Sequence, residues 1–192
     1  MRNVKKEILS LLILWADKCT NQSSLSNDYL PVILAKLLPD YSNCPPEARE
    51  AELIHLMERL VEKLGSNINH SINEIFLRIF EPTLNMINQS DSDYPEHRTQ
   101  FFKFLGAINN RCFSAVLGMS ADQFKLVLDA IIWGMKQMMQ ECKETSLDIL
   151  QKLLANVGDR QQVDEGASNN FYKQYYIFIG KGFEKFNIEF YT

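Results

Sequence analysis

Apolar residues recur at intervals of three and four positions along almost the whole chain, and each such stretch ends in a short cluster of Asn, Ser, Asp, Gly or Pro. This spacing places apolar side chains on one face of an α-helix, and the polar clusters are typical of loops between consecutive helices. The pattern predicts an all-α fold built from antiparallel helical hairpins.

The pattern predicts about eight helices in the 192 residues, with ends marked by specific residues. Asp28 and Ser120 are predicted N-caps. Gly65 and Gly158 are predicted to end the third and seventh helices, because glycine suits a left-handed cap. Pro82 predicts a kink within the fourth. The predicted helices cover about 2–19, 28–42, 47–64, 68–88, 94–112, 120–140, 142–157 and 167–186.

Helix starts near residues 28, 68 and 120 imply a repeat of about forty to fifty residues, which is the range of HEAT and armadillo arrays. In such arrays each hairpin buries its apolar face against its neighbours. The first and last predicted helices then lack a partner within the chain. Residues 1–192 are therefore interpreted as a single segment of a HEAT-repeat solenoid. The first helix carries an apolar stripe of Val4, Ile8, Leu11, Leu12 and Trp15.

Composition and charge narrow the classes of partner. A hydrophobic content of 46% excludes a mainly disordered chain, and a formal net charge of -4 disfavours binding to a phosphate backbone. No apolar stretch reaches the roughly eighteen residues that a membrane span requires. We expect no direct nucleic-acid partner and no membrane insertion.

The residue types that carry chemistry do not converge at any spacing typical of a site. The histidines lack metal-ligand spacing and are predicted to lie on the surface or in loops. The four cysteines form no CxxC pair and are interpreted as reduced core thiols. The sequence predicts no catalytic residues, no metal site and no cofactor, and thus no enzyme. The histidines are His55, His70 and His97.

Three stretches carry a family resemblance. They are TLNMIN at 83–88, YPEHRT at 94–99 followed by Phe101 and Phe102, and QFKLVLD at 123–129 followed by IIW at 131–133. Together they resemble the karyopherin-β family, in particular the receptors that carry proteins with leucine-rich signals out of the nucleus. The resemblance implies the C-terminal half of a ring-shaped HEAT solenoid, beyond the export-signal groove. The residues that depart from the family pattern are Pro82, Gly134, Gly180 and Gly182.

The resemblance also implies partners and a location. Such receptors bind the Ran GTPase in its GTP state cooperatively with export cargo, contact nucleoporins, and shuttle between nucleus and cytoplasm through the nuclear envelope. The helix that opens with Tyr94 looks like the family's Ran-contacting segment, and counting hairpins predicts that it faces the concave side. Its predicted core is Phe101, Phe102, Leu105 and Ile108. The candidate partner-binding residues are Glu96, His97, Arg98, Lys103 and Arg111.

Two alternatives stay open. The charges of this helix could serve only to keep its outer face hydrated. The chain as a whole could be a helical-repeat scaffold that organises cytoplasmic protein complexes without a GTPase.

Overall fold

The computed structural model describes residues 2–90 and 92–161, and side chains within 4–90 and 92–157. These ranges contain no β-strand, so the predicted all-α class is confirmed. Short 3-10 helices cover Pro46–Ala48 and Gly65–Ser71, and π turns cover Leu25–Tyr29 and Phe76–Phe80. The α-helices are α1 (Arg2–Lys18), α2 (Gln22–Ser24), α3 (Leu30–Asn43), α4 (Ala51–Leu64), α5 (Ile72–Ile75), α6 (Glu81–Ile87), α7 (Pro95–Arg111), α8 (Phe113–Leu117), α9 (Ala121–Met135) and α10 (Gln140–Gln161).

One row of the fold consists of α1, α4, α7 and α10. Helix α4 packs between α1 and α7, and α7 packs between α4 and α10. Adjacent helices are joined by side chains about one repeat apart: Lys63 Nζ donates to the carbonyl oxygen of Ala16 at 2.6 Å, 47 positions earlier. Asn156 in α10 donates to the carbonyl oxygen of Asn109 in α7 across the same interval of 47 positions. The predicted repeat of forty to fifty residues agrees with this register.

The intervening helices form a second row. Helix α3 packs on the Phe76–Phe80 turn, and α9 packs against α10. A buried hydrogen bond of 2.7 Å joins the hydroxyl groups of Tyr41 in α3 and Thr83 in α6. Burial raises the pKa of Tyr41 to about 12, so its hydroxyl stays protonated and can donate. The two rows are the layers of a stack of helical hairpins.

Two predicted helix ends are confirmed. The Ser120 hydroxyl accepts from the backbone N–H of Gln123 at 3.2 Å, while the Gln123 side chain accepts from the N–H of Ser120 at 3.1 Å. This reciprocal pair is a capping box at the start of α9. Helix α4 ends at Leu64, and Gly65 follows with a φ of +53°, where a residue with a Cβ is disfavoured.

Other predicted ends are wrong. Asp28 does not start a helix, because helical turns already run from Gln22 into α3, and Asn21 provides the cap by accepting from the N–H of Ser24 at 3.0 Å. The third helix begins at Ala51 and not near 47, because the backbone of Arg49 and Glu50 is extended and separates α4 from the 3-10 turn at Pro46–Ala48. Gly158 does not end α10, which continues to Gln161.

The fourth and sixth predicted helices also differ from expectation. The segment from Gly65 to Ile87 is interrupted by 3-10 and π geometry, and the π turn lies just before Pro82. A wider turn at this point accommodates a residue that has no backbone N–H to donate. Helix α9 ends at Met135 instead of near 140, and Met138, which lies beyond this end, is 84% exposed.

Helix α1 contacts the stack through only one side. Leu9 and Ala16 are buried against the core, whereas Val4, Ile8 and Leu11 of the predicted stripe are exposed. The first helix was expected to lack a partner within the chain, but α1 packs on α4, and its exposed apolar residues lie on the other side. The predicted helix at 167–186 lies outside the described residues. In the part that is described, no helix is both long and apolar enough to cross a membrane.

Candidate partner-binding site

Helix α7 begins at a sharp corner. Pro95 occupies its first turn, where the missing N–H costs no hydrogen bond. Tyr94 precedes it with φ 55° and ψ 48°, the left-handed region in which a residue with a Cβ is strained. Its ring packs edge-on against His97, with 5.7 Å between ring centroids. The corner fixes the direction in which the helix leaves the preceding loop.

The inward face of α7 carries a cluster of aromatic side chains. Phe101, Phe102, Leu105 and Ile108 are all buried, so the predicted core of this helix is confirmed. The Phe102 ring contacts Phe101 at 5.3 Å and stacks on Trp133 at 6.0 Å between centroids. Such ring pairs stabilise beyond the area they bury. These contacts hold α7 against α9 and fix which residues of α7 point outward.

His97 lies inside the stack, with only 7% of its surface exposed. Its Nε2 atom is 3.1 Å from the carbonyl oxygen of Arg49, which precedes α4. Burial lowers the pKa of His97, because a charged imidazole loses hydration there. The prediction that the histidines lie on the surface or in loops is wrong for His97, whose ring joins α7 to the start of α4.

Arg98 is fully buried. Its Nη2 atom donates to the carbonyl oxygens of Ile87 and Ser90 at 2.8 and 2.6 Å, and its guanidinium carbon lies 5.8 Å from the centre of the Trp133 ring. The carbonyl groups at the end of a helix have no partners within the helix, and Arg98 satisfies that of Ile87 at the end of α6. With His97, it points inward, where a partner protein cannot contact it directly.

The other three candidate residues point outward. The side chains of Glu96, Lys103 and Arg111 are 72%, 44% and 55% exposed. The three span fifteen positions, which corresponds to roughly 22 Å along a helix at 1.5 Å per residue. The outer side of α7 is thus a charged ridge that a partner protein can reach.

Each charge of the ridge faces an opposite charge on another helix of the same row. Lys103 Nζ lies 2.8 Å from a carboxylate oxygen of Glu141, and Arg111 Nε lies 2.8 Å from one of Glu62. Glu96 lies 3.9 Å from Lys6 Nζ. Exposed pairs of this kind contribute about 0–1 kcal/mol, so a partner can replace them at little cost.

These counter-charges were not predicted, although the sequence contains a signal for one of them. Glu62 precedes Arg111 by 49 positions, about one repeat. In a stack with a repeat of forty to fifty residues, opposite charges at that offset fall on adjacent helices. A search at that offset finds Glu62 as the partner of Arg111, whereas Glu141, 38 positions after Lys103, and Lys6, 90 positions before Glu96, lie outside it.

Among the residues that the structure describes, no other arrangement favours chemistry. His55 lies 3.7 Å from Glu58, and burial lowers the pKa of His55 and raises that of Glu58. Burial also raises the pKa of Cys112 to about 11, which disfavours the nucleophilic thiolate. Cys112 and Cys142 are buried thiols as predicted, whereas Cys19 and Cys44 are only half-buried. Within the described ranges no three His, Cys, Asp or Glu residues are grouped to hold a metal ion.

The stacked hairpins and the exposed charged ridge define a helical-repeat protein, a class whose members bind other proteins along extended surfaces. The family model described as CRM1 C terminal matches residues 1–183. The chain belongs to this family, and the resemblance found in the sequence is confirmed.

Named relatives agree with this assignment. The chain is 36% identical to "Exportin-1" of Drosophila melanogaster over 180 residues, which is 93% of the chain and 17% of that protein. It is 36% identical to "Exportin-1" of Schizosaccharomyces pombe over 177 residues, covering 92% of the chain and 16% of the relative. "Protein EXPORTIN 1B" of Arabidopsis thaliana is 36% identical over 179 residues, 93% of the chain and 16% of the relative. The chain thus spans about a sixth of these relatives.

Proposed function

We propose that this chain forms part of the wall of a nuclear export receptor and that the charged ridge of α7 contacts the Ran GTPase in its GTP state. The observation that carries the proposal is the match to the CRM1 C-terminal family over residues 1–183, together with relatives named exportin. The ridge of Glu96, Lys103 and Arg111 is the exposed part of the helix whose sequence resembles the family's Ran-contacting segment.

The geometry suggests how the ridge works. Its charges are pre-positioned by ion pairs to α1, α4 and α10, and the interior contacts of His97 and Arg98 fix the start of the helix. Ran replaces some of these weak pairs with its own charges, which gives specificity and a salt-dependent association rate. In the whole receptor, cargo and Ran reinforce each other's binding by linkage. The receptor contacts nucleoporins as it moves between nucleus and cytoplasm through the nuclear envelope.

The alternative is a structural scaffold for cytoplasmic protein complexes. The feature that favours it is that each ridge charge already has an opposite charge within reach, as expected for a surface that is merely hydrated. In that case the chain has no preference for a nucleotide state of Ran.

A nucleotide-dependent pull-down separates the two functions. The chain is immobilised and incubated with Ran loaded with GTP or with GDP, at low and at physiological salt. The export-receptor proposal predicts retention of Ran with GTP well above Ran with GDP, and weaker retention at higher salt. Equal retention of the two forms, or none of either, contradicts the proposal and favours the scaffold.

A further inference from the structure

An open cavity of about 390 Å³ lies between the segment that precedes α4 and the helical turns that end in α6. Its volume is within the range of ligand-binding pockets in proteins. Pro46 and Arg49 line it from the segment before α4. The residues that line it from the other segment include a set that recurs every four positions and shares one side of the helical turns: Leu77, Glu81, Asn85 and Gln89.

Arg49 is held in place beside the cavity by two hydrogen bonds. Its Nε atom donates to the carbonyl oxygen of Tyr41 at 3.2 Å, and its Nη1 atom donates to that of Pro82 at 2.9 Å. The guanidinium carbon also lies 5.6 Å from the centre of the Tyr41 ring. A guanidinium group has five N–H groups, and these bonds use only two of them. The group is therefore fixed in position and keeps donors for a ligand.

The cavity contains charges of both signs that are not paired. Arg49 and Glu81 are half-exposed, and the ion pairs among the described residues include neither of them. A fixed charge without a counter-charge favours a ligand that supplies one. Arg49 matches a carboxylate, which a guanidinium binds through parallel N–H groups. Glu81 matches an ammonium or guanidinium group.

The remaining lining suits a peptide. Leu77 is 46% exposed, whereas Met86 is 2% exposed and forms the buried part of the lining. An apolar side chain that enters the cavity removes the surface of Leu77 from water. Asn85 and Gln89 are exposed on the same side. Their amide groups can each donate and accept, as the N–H and C=O groups of a peptide main chain require.

We propose that this cavity binds an extended segment of a partner protein that carries an acidic, an apolar and a basic side chain at alternate positions. Alternate side chains of an extended chain point the same way, so all three can enter the cavity together. The acidic group binds Arg49, the apolar side chain covers Leu77 and Met86, and the basic group binds Glu81. Complementary charges at both ends favour this segment over a neutral or uniformly charged one.

The cavity is separate from the charged ridge of α7. Leu77, Glu81 and Asn85 belong to the second row, whereas the ridge lies on a helix of the first row, and none of the ridge residues lines the cavity. A segment bound in the cavity therefore leaves the ridge available. The proposal does not depend on Ran binding, and its test does not measure it.

The test is an NMR titration of the chain, carrying isotope-labelled methionine methyl groups, with the acetylated and amidated peptide Asp-Ser-Leu-Ser-Lys. Met86 reports from the cavity, and Met138, which is 84% exposed and lies outside it, is the control within the same protein. We expect a saturable shift of the Met86 methyl signal, an unchanged Met138 signal, and weaker binding at higher salt, because the contacts include exposed charges.

The two charges are tested separately. Arg49 is left unchanged, because its bonds to Tyr41 and Pro82 also stabilise the fold, and a peptide with Asn in place of Asp tests its role instead. We expect that peptide to bind about fivefold more weakly. Glu81→Lys should reverse the preference of the chain, so that Asp-Ser-Leu-Ser-Asp binds more tightly than the original peptide. Glu74→Lys, which is exposed outside the cavity, is the matched control and should leave the preference unchanged.

Several results would overturn the proposal. They are a Met86 signal that does not move or moves no more than that of Met138, equal affinity for the neutral peptide Asn-Ser-Leu-Ser-Gln, and the same preference in Glu81→Lys and Glu74→Lys. A Met86 signal that shifts with the concentration of the chain alone would also do so, because a second copy then occupies the cavity. The peptide comparison uses the unchanged chain, so it decides the question even if a variant does not fold.

Discussion

Helices α1 and α7 have the same length of 17 residues, yet they have opposite surfaces. On α7 the large apolar side chains are buried, and even an arginine and a histidine lie in the interior. On α1 four large apolar side chains are exposed. The difference teaches that the number of neighbours in the stack, more than the composition of the helix, decides which residues of a repeat protein are buried.

The largest expected difference in stability is between truncating an aromatic core residue of α7 and truncating an exposed apolar residue of α1. Phe102→Ala should lower the free energy of unfolding by about 3–5 kcal/mol, because the side chain is fully buried and leaves a cavity. Leu11→Ala, at 65% exposure, should change it by less than about 0.5 kcal/mol. Urea denaturation measures both, and similar losses would show that α1 is buried in solution.

The interior arginine provides the next contrast. Arg98→Met removes two hydrogen bonds from a charged donor and leaves two carbonyl groups without that donor, so we expect a loss of about 3 kcal/mol. Lys103→Met on the exposed side of the same helix should cost less than about 1 kcal/mol. If the two variants have equal stability, the hydrogen bonds of Arg98 to Ile87 and Ser90 do not stabilise the fold.

Two glycines near α7 differ in how much space a Cβ atom would have. A Cβ on Gly134 would lie 2.5 Å from the Phe102 ring and still closer to the Ser146 hydroxyl, so Gly134→Ala should cost about 1–3 kcal/mol. At Gly118 the nearest atom, a carbonyl oxygen of Ala115, is 3.5 Å away. Gly118→Ala should therefore be neutral or stabilise by up to about 1 kcal/mol. A neutral Gly134→Ala would mean that α9 and α10 are packed less closely.

His97 provides the smallest effect, through pH. Its pKa is lowered in the folded state, so between the unfolded value near 6.5 and the folded value the unfolded chain binds more protons. The stabilisation by neutral His97 is complete above about pH 6.5 and is lost as the pH falls through the folded pKa. The stability difference between the chain and His97→Gln should shrink, by less than about 1 kcal/mol, from pH 7.5 to 5.5. The contribution of His55 is common to both proteins and cancels; a constant difference would contradict the assignment.

Much of the fold could be predicted from the sequence because helical periodicity is a local signal. The all-α class, the repeat length, the core of α7, the cap at Ser120 and the end at Gly65 follow from residues close in sequence. The start at Asp28 and the end near residue 140 were wrong. Local polarity does not show that π turns continue the helical turns from Gln22 into α3, or that α9 ends at Met135 and leaves Met138 exposed.

The candidate site was harder to predict. Glu96, Lys103 and Arg111 point outward, as expected of partner-binding residues. His97 and Arg98 were grouped with them because they are polar, yet both are buried. A buried arginine depends on carbonyl groups that become available only when a preceding helix ends beside it, as α6 does. That arrangement is tertiary, and no spacing in the sequence encodes it. The same holds for the strained backbone of Tyr94 at the corner before α7.

The central claim is that the outer ridge of α7 binds a partner while its inner residues maintain the fold. The most direct test is to titrate two proteins with GTP-loaded Ran and compare their affinities. One is the chain itself, and the other is the triple variant Glu96→Lys, Lys103→Glu and Arg111→Glu. Reversal of Glu144 and Lys152 on exposed α10 serves as the control, and circular dichroism verifies that each variant is folded. We predict a several-fold weaker, salt-dependent affinity for the triple variant only. Unchanged affinity of the folded triple variant would contradict the claim and make the ridge a hydrated surface.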